Sequence, residues 1–147
     1  GVSTMENVNT AKIDGFELSV SAQWQKWILS SKLSLIDPRN EETGNQLARR
    51  SRRLFNLELD RVLDKWSYGA SIVAASSQYN DSNEMDLIPG YGIFNIRAAY
   101  QFNTRWNLRA KIDNLFDKEY ALTRDFYGRD YKQPGRFFFT SLHYTYQ

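Results

Sequence analysis

Trp106-Asn107-Leu108-Arg109-Ala110-Lys111-Ile112-Asp113-Asn114-Leu115-Phe116-Asp117-Lys118-Glu119-Tyr120 is the stretch on which the reading of this chain turns. Trp106, Leu108, Ala110 and Ile112 alternate with Asn107, Arg109, Lys111 and Asp113. That period of two defines a β-strand with one apolar and one charged face. The alternation stops at Asn114-Leu115-Phe116-Asp117, a turn with a charged, aromatic exit through Lys118-Glu119-Tyr120.

Immediately upstream, Phe94, Ile96, Ala98, Tyr100 and Phe102 alternate with Asn95, Arg97, Ala99 and Gln101, and Asn103-Thr104 joins the two strands as a hairpin. Phe55, Leu57 and Leu59 against Asn56, Glu58 and Asp60, then a tight Leu63-Asp64-Lys65 connection, then Trp66, Tyr68, Ala70 and Ile72 against Ser67, Gly69 and Ser71 make a second hairpin. The first sets Phe16, Leu18, Val20, Ala22 and Trp24 against Glu17, Ser19, Ser21 and Gln23, turns at Gln25-Lys26 and returns through Trp27, Leu29, Leu33 and Leu35. Ser31 on its apolar face and Ile28 on its polar face blur that return. The last segment puts Phe138, Leu142, Tyr144 and Tyr146 on one face, with Phe137, Phe139, Ser141, His143 and Thr145 on the other. Residues 1–10 and the segments 37–50, 77–92 and 114–135 are expected to be loops, the second of these because Pro38 and Gly44 oppose regular structure.

Connections therefore run short, long, short, long, short, long over about seven strands of roughly ten residues, the length of a tilted bilayer crossing. Trp24, Trp27, Trp66, Phe102, Trp106 and Tyr146 gather at the short-turn ends, as rings do at a headgroup boundary. Lys32, Glu58, Asp60, Arg97, Arg109, Lys111 and Asp113 on the opposite faces suit a hydrated lumen. A soluble all-β binding domain is the competing class, and it leaves unexplained both the charge on nearly every second face and the crowding of aromatics at one end. Helical readings fail because no segment keeps an i, i+3, i+4 apolar stripe.

Composition agrees with this class. The 147 residues suffice for one domain, yet a mean hydropathy of -0.60 beside nine Phe, nine Tyr and four Trp puts the apolar material in rings rather than aliphatic runs. No window approaches a transmembrane helix, and strand crossings leave no such signal. Net charge is +2 with both signs interspersed. Arg49-Arg50-Ser51-Arg52-Arg53 is the one basic run; with the aromatics on strand faces rather than in a basic groove, no nucleic-acid partner is expected. The absence of cysteine removes disulfide frameworks and thiolate metal sites. The start, Gly1-Val2-Ser3, has no charged and apolar leader. Seven strands also leave two open edges, which a membrane does not tolerate because each unsatisfied backbone group there costs several kcal/mol. The expectation is a C-terminal piece of a larger barrel, with self-association through the open edges as a further expectation for the isolated piece.

Asn114-Leu115-Phe116-Asp117-Lys118-Glu119-Tyr120, followed by Tyr131-Lys132-Gln133-Pro134-Gly135-Arg136 and a closing strand, resembles the N-L-F-D-K-x-Y signature of TonB-dependent outer-membrane receptors. Asn9-Thr10-Ala11-Lys12-Ile13-Asp14-Gly15-Phe16-Glu17-Leu18 is similar to that family's N-x-x-K-A-x-I-x-G-x-E approach to a strand. Leu47-Ala48-Arg49-Arg50-Ser51-Arg52-Arg53 resembles its L-P-R-R-P-x-H element, with Ala48 in place of Pro and Arg53 in place of His. The resemblance implies that residues 1–147 are the last third of a 22-stranded barrel, most like the vitamin B12 (cobalamin) branch, with ferric-siderophore receptors sharing much of the pattern. It implies import across the outer membrane of a Gram-negative bacterium, membrane lipid and lipopolysaccharide around the wall, and TonB acting through a plug that is absent here. Without that plug this chain alone is not expected to transport.

For ligand contact the resemblance points to Arg49 and Tyr131, and proximity within its loop adds Tyr79. An Arg at a loop base can donate to amide or phosphate oxygens, and a Tyr offers a flat apolar area with a polar tip. The second loop matches the family poorly. No catalytic group or cofactor is expected: His143, the single histidine, has no nucleophile spaced for a triad, so an outer-membrane barrel enzyme is a distant alternative. Glu41-Glu42 and Asp81 with Glu84 and Asp86 lack the alternate-oxygen spacing of a calcium loop, and no metal is expected. The chain closes on Gln147 after Tyr146, where outer-membrane barrels usually close on an aromatic.

Overall fold

The computed structural model describes residues 10–146; the expected loop before Thr10 and the terminal Gln147 lie outside the described residues. Seven strands form one antiparallel sheet: β1 (Ala11–Trp24), β2 (Trp27–Asn40), β3 (Arg53–Leu63), β4 (Trp66–Ala75), β7 (Tyr91–Gln101), β8 (Trp106–Asp113) and β11 (Phe137–Tyr144). Two small hairpins, β5 (Gln78–Tyr79) with β6 (Leu87–Ile88) and β9 (Ala121–Arg124) with β10 (Asp130–Lys132), sit within the second and third long connections. Each strand of the main sheet pairs with the next one in chain order, so the sheet is a meander bounded by β1 and β11. The architecture is all-β and antiparallel, as the alternation requires.

Residues directly opposed in an antiparallel pair project to the same side, so the register assigns both faces. One row crosses all seven strands as Ala22, Leu29, Leu59, Ala70, Ile96, Ile112 and Phe138. One position along each strand, on the other face, the row reads Gln23, Ile28, Asp60, Gly69, Arg97, Lys111 and Phe139. A sheet so divided cannot bury its apolar side within itself. Phe16, Trp24 and Phe138 remain 58%, 68% and 65% exposed, the surface a surrounding hydrocarbon phase would cover.

At the tight-turn end the aromatics pack into a girdle. Trp66 meets Tyr100 at 4.6 Å, Tyr100 meets Phe102 edge-on at 4.9 Å, and Trp106 meets Tyr144 at 4.7 Å. Such pairs contribute about 0.5–1.5 kcal/mol each beyond area burial. The Arg61 guanidinium lies over Trp27 at 4.9 Å and donates to the Tyr68 hydroxyl at 3.3 Å, which lets a cation sit on the apolar face near its margin. Gln25 and Asp64 open the two-residue turns with φ of 52° and 48°, and Asn103 Oδ1 accepts from the amides of Arg105 and Trp106 at 2.9 and 3.1 Å.

The segment at Pro38 departs from expectation. It is strand rather than loop: β1 and β2 pair without interruption to Ala11 opposite Asn40. In an extended chain the N–H and C=O of one residue point the same way. The Pro38 carbonyl accepts from Leu47 N at 2.9 Å, on the side away from β1, so the missing donor breaks no bond to β1. The two loop hairpins also depart from expectation, because strands of two to four residues are too short to show periodicity. What core there is lies at this long-loop end, where Pro38, Ile88, Ala75, Ile93 and Ala121 are buried.

Candidate functional site

The site is built from the exit of β8. Asn114 is buried, with φ of 52°, a left-handed conformation that Asn tolerates better than most residues. Its side chain replaces a backbone partner: Oδ1 accepts from Lys118 N at 2.8 Å and Nδ2 donates to Lys118 O at 2.9 Å. Its own amide donates to Asn95 Oδ1 at 2.9 Å, and Leu115 N donates to Phe94 O at 2.8 Å, tying the turn to β7. Asp117, with φ of 53°, accepts Arg136 N at 2.7 Å, and a Cβ on Gly135 would stand 2.5 Å from that carboxylate. Asn114, Asp117 and Gly135 thus join the start of the third loop to its end, which fixes where β11 begins.

Above this turn the three long loops are stitched together. Arg49 N donates to Tyr79 O at 2.6 Å, Gln46 N to Glu84 Oε1 at 2.6 Å and Asn45 Nδ2 to Ser82 O at 2.9 Å, joining the first loop to the second. Gln78 Nε2 donates to Leu122 O at 2.8 Å, joining the second to the third. Asn80 acts as a strand partner there: its Oδ1 accepts Arg124 N at 3.1 Å while its Nδ2 donates to Arg124 O at 3.2 Å. The Arg124 guanidinium spans Asp86 at 2.6 Å and Asp130 at 2.5 Å. Asn80, Gln78 and Arg124 carry no periodic or motif signal in the sequence, because their partners lie some forty residues away.

The acids of the second loop are all engaged within the protein: Glu84 accepts Gln46 N, Asp86 pairs with Arg124, and Asp81 binds its own loop. Asp81 Oδ1 accepts Asn83 N at 2.7 Å and Met85 N at 3.3 Å, and Oδ2 accepts Asp86 N at 2.7 Å. Burial raises the Asp81 pKa, but the amides of Met85, Asn83, Asp86 and Glu84 outweigh it and leave the carboxyl below its ordinary range. A depressed carboxyl contributes stability that is present above its unfolded value and lost as pH falls through its folded value. The second loop is therefore expected to hold its turn at neutral pH and to loosen in acid below the usual carboxylate range. Asp81→Asn should remove that dependence, read as amide hydrogen exchange at Asn83 and Asp86 in the intact protein at matched intrinsic rates.

Of the three residues expected to meet ligand, the fold brings Arg49 and Tyr79 together through the backbone bond above. The Arg49 side chain is exposed, on a residue with φ of 57°, a strained setting for Arg. Tyr131 is on β10, 58% exposed. Among the described residues its link to the other two runs through β9, whose Leu122 carbonyl and Arg124 bond Gln78, Asn80, Asp86 and Leu87 of the second loop. Below the loops, ion pairs stand along the charged face: Arg97 reaches Asp60 at 2.6 and 2.9 Å and Glu58 at 3.1 Å, Lys111 pairs with Asp113 at 2.6 Å, and Lys32 with Glu17 at 3.3 Å.

A meander with an uncovered, girdled apolar face, a charged second face, tight turns at one end and interlocked long loops at the other defines the wall of a membrane β-barrel. The chain belongs to the family described as TonB dependent receptor-like, beta-barrel, which matches residues 1–115. It is 26% identical over 148 residues to the vitamin B12 transporter BtuB of Vibrio vulnificus (strain YJ016), covering 99% of this chain and 24% of that protein. Its fold matches the crystal structure of the siderophore receptor PiuA from Acinetobacter baumannii with a TM-score of 0.83 and 23% identity, covering 92% of this chain and 22% of that one. The copper transporter OprC matches with a TM-score of 0.81 and 25% identity over 92% of this chain and 23% of that one. The chain therefore spans about a quarter of the length of the relatives it matches.

Proposed function

We propose that this chain is part of the wall and outer loops of a TonB-dependent import receptor in the outer membrane of a Gram-negative bacterium, and that the receptor carries vitamin B12. The supporting observation is the likeness to BtuB, which runs through strands and long loops alike over 99% of the chain. A ferric siderophore is the second reading, favoured by 26% identity over 136 residues, 80% of this chain, to the probable TonB-dependent siderophore receptor PiuA of Acinetobacter baumannii. In either case the apolar face meets lipid and lipopolysaccharide, the charged face lines the lumen around a plug on which TonB acts, and the interlocked loops receive ligand.

Within those loops, Arg49 donates to amide or phosphate oxygens of the ligand, and the Tyr131 and Tyr79 rings supply flat apolar contact. The test is equilibrium binding of cyanocobalamin, and separately of ferric siderophores, to the whole receptor in mild detergent. Cyanocobalamin is expected to bind, with Arg49→Ala and Tyr131→Ala each weakening it about tenfold, the scale of a contact worth more than 1 kcal/mol. Binding of a ferric siderophore in its place selects the second reading, and unchanged affinity in both variants removes these residues from the site.

A further inference from the structure

Tyr79 and Tyr131 stand on different loops, and one side chain reaches a neighbour of each. Tyr79 is on β5, directly opposite Leu87 on β6, while Tyr131 follows Asp130 on β10. Arg124 lies on β9 between them, opposed to Asp130 in the β9–β10 pair. Its Nη1 donates to Asp86 Oδ1 at 2.6 Å and to the Leu87 carbonyl at 3.2 Å, and its Nε donates to Asp130 Oδ1 at 2.5 Å. Two carboxylates, one from the second loop and one from the third, thus converge on a single guanidinium. Of the neighbouring cations, Lys132 and Arg129 pair with Glu119 and Asp125 at 2.9 and 2.7 Å. Lys118, on the wall of the same cavity of about 230 Å³, makes no ion pair among the described residues. With Arg124 removed, Asp86 and Asp130 would repel across a seam that Gln78 and Asn80 close only with neutral hydrogen bonds.

We propose that Arg124 is a positioning residue for the ligand site: by bridging Asp86 and Asp130 it sets the separation of the Tyr79 and Tyr131 rings before ligand arrives. The second and third loops then present one preformed surface and do not close on ligand separately. The inference rests on the reading that these two rings meet ligand. Guanidinium geometry carries it, because a planar group donates from Nε and Nη1 at a fixed angle and so fixes the two carboxylates relative to one another, which a point-charge ammonium does not. The consequence is kinetic. A site assembled only part of the time binds with an affinity reduced by that fraction, and the deficit falls on association, since a seated ligand holds the rings in place. Loss of a direct contact falls mainly on dissociation.

The test uses the whole receptor in mild detergent. The chain contains no cysteine, so in a receptor cleared of cysteine elsewhere, spin labels at Met85→Cys and Phe126→Cys, both highly exposed, report the separation of the two loops without ligand. Stopped-flow binding of cyanocobalamin, or of the ferric siderophore that the receptor takes in its place, gives the rates. Arg124→Ala should lengthen and broaden the label distance and slow association about tenfold, with dissociation changed by less than about twofold. Arg124→Lys and Asp86→Asn should fall between it and the unaltered receptor, and Lys12→Gln, at the Asp14 pair on β1, should change nothing. In a Tyr131→Ala background most of the Arg124→Ala effect on association should vanish, because less remains to be positioned. Heat-modifiable gel mobility shows that each variant is folded; if Arg124→Ala is not, Arg124→Lys and Asp86→Asn carry the same comparison. Unchanged label distances, or an equal loss in the Tyr131→Ala background, overturn the proposal and leave the ligand reading standing. Altered distances with binding indifferent to both Tyr79→Ala and Tyr131→Ala show that the ligand reading has failed, and the positioning role falls with it.

Discussion

Asn114→Ala is expected to cost about 2–4 kcal/mol and to lower the amount of folded receptor, because it removes two part-buried side-chain bonds and puts Ala at positive φ. The substitution strands the amide and carbonyl of Lys118, both of which the Asn114 side chain satisfies within 2.9 Å. Lys118 is exposed, so water takes over part of what the side chain supplied, and the cost comes from the two lost bonds and the strained backbone together. Two companion variants divide the effect. Asn114→Gly relieves the backbone strain and should recover about 1 kcal/mol. Asn114→Asp keeps the acceptor for Lys118 N and loses the donor to Lys118 O, so it should fall between Gly and unaltered protein. The measurement is the urea concentration at which the whole receptor loses its heat-modifiable form. If Asn114→Ala shifts that midpoint by less than the scatter between preparations, the turn is not what holds the third loop.

That turn shows what sequence reading reaches. Trp106 to Asp113 is legible because period-two alternation is a local property, and the same holds for each long strand and for the girdle of Trp24, Trp27, Trp66 and Trp106. Asn114, Asp117 and Gly135 are legible only as a motif; their reasons, a carboxylate on Arg136 N and a left-handed Asn, need the fold. The Pro38 stretch misleads because proline and charges signal a loop, whereas the direction of one missing N–H decides whether a strand survives. The loop assembly around Asn80 and Arg124 is invisible beforehand, since side chains that mimic strand partners across forty residues leave no pattern. Likewise Arg49, Tyr79 and Tyr131 arise from resemblance, and the structure adds the Arg49 backbone link to Tyr79 and the positive φ at Arg49.

Gly69→Ala is the second large effect expected, and its sign should reverse with the residue across the strand. Asp60, Gly69 and Arg97 stand in one row on β3, β4 and β7, so the Asp60–Arg97 bond crosses an intervening strand. Only a residue without Cβ leaves that path open: a Cβ on Gly69 would collide with Asp60 Oδ1 and come within 2.9 Å of its Cγ. The pair is partly exposed, at 39% for Arg97 and 30% for Asp60, so solvent screens it and the loss is about 1–2 kcal/mol rather than that of a buried bridge. In a strand interior, however, Gly is itself about 0.5–1 kcal/mol worse than Ala. With Asp60→Ala already made, the path has nothing to carry, and Gly69→Ala should become neutral or stabilising after a small shift away from Leu59 O, 3.0 Å from the added Cβ. Urea midpoints of the four combinations form a double-mutant cycle, and coupling above about 1 kcal/mol identifies the glycine as a passage for the ion pair. Equal destabilisation in both backgrounds would instead trace its cost to crowding against the backbone of Leu59, and the lumen-side network would owe nothing to Gly69.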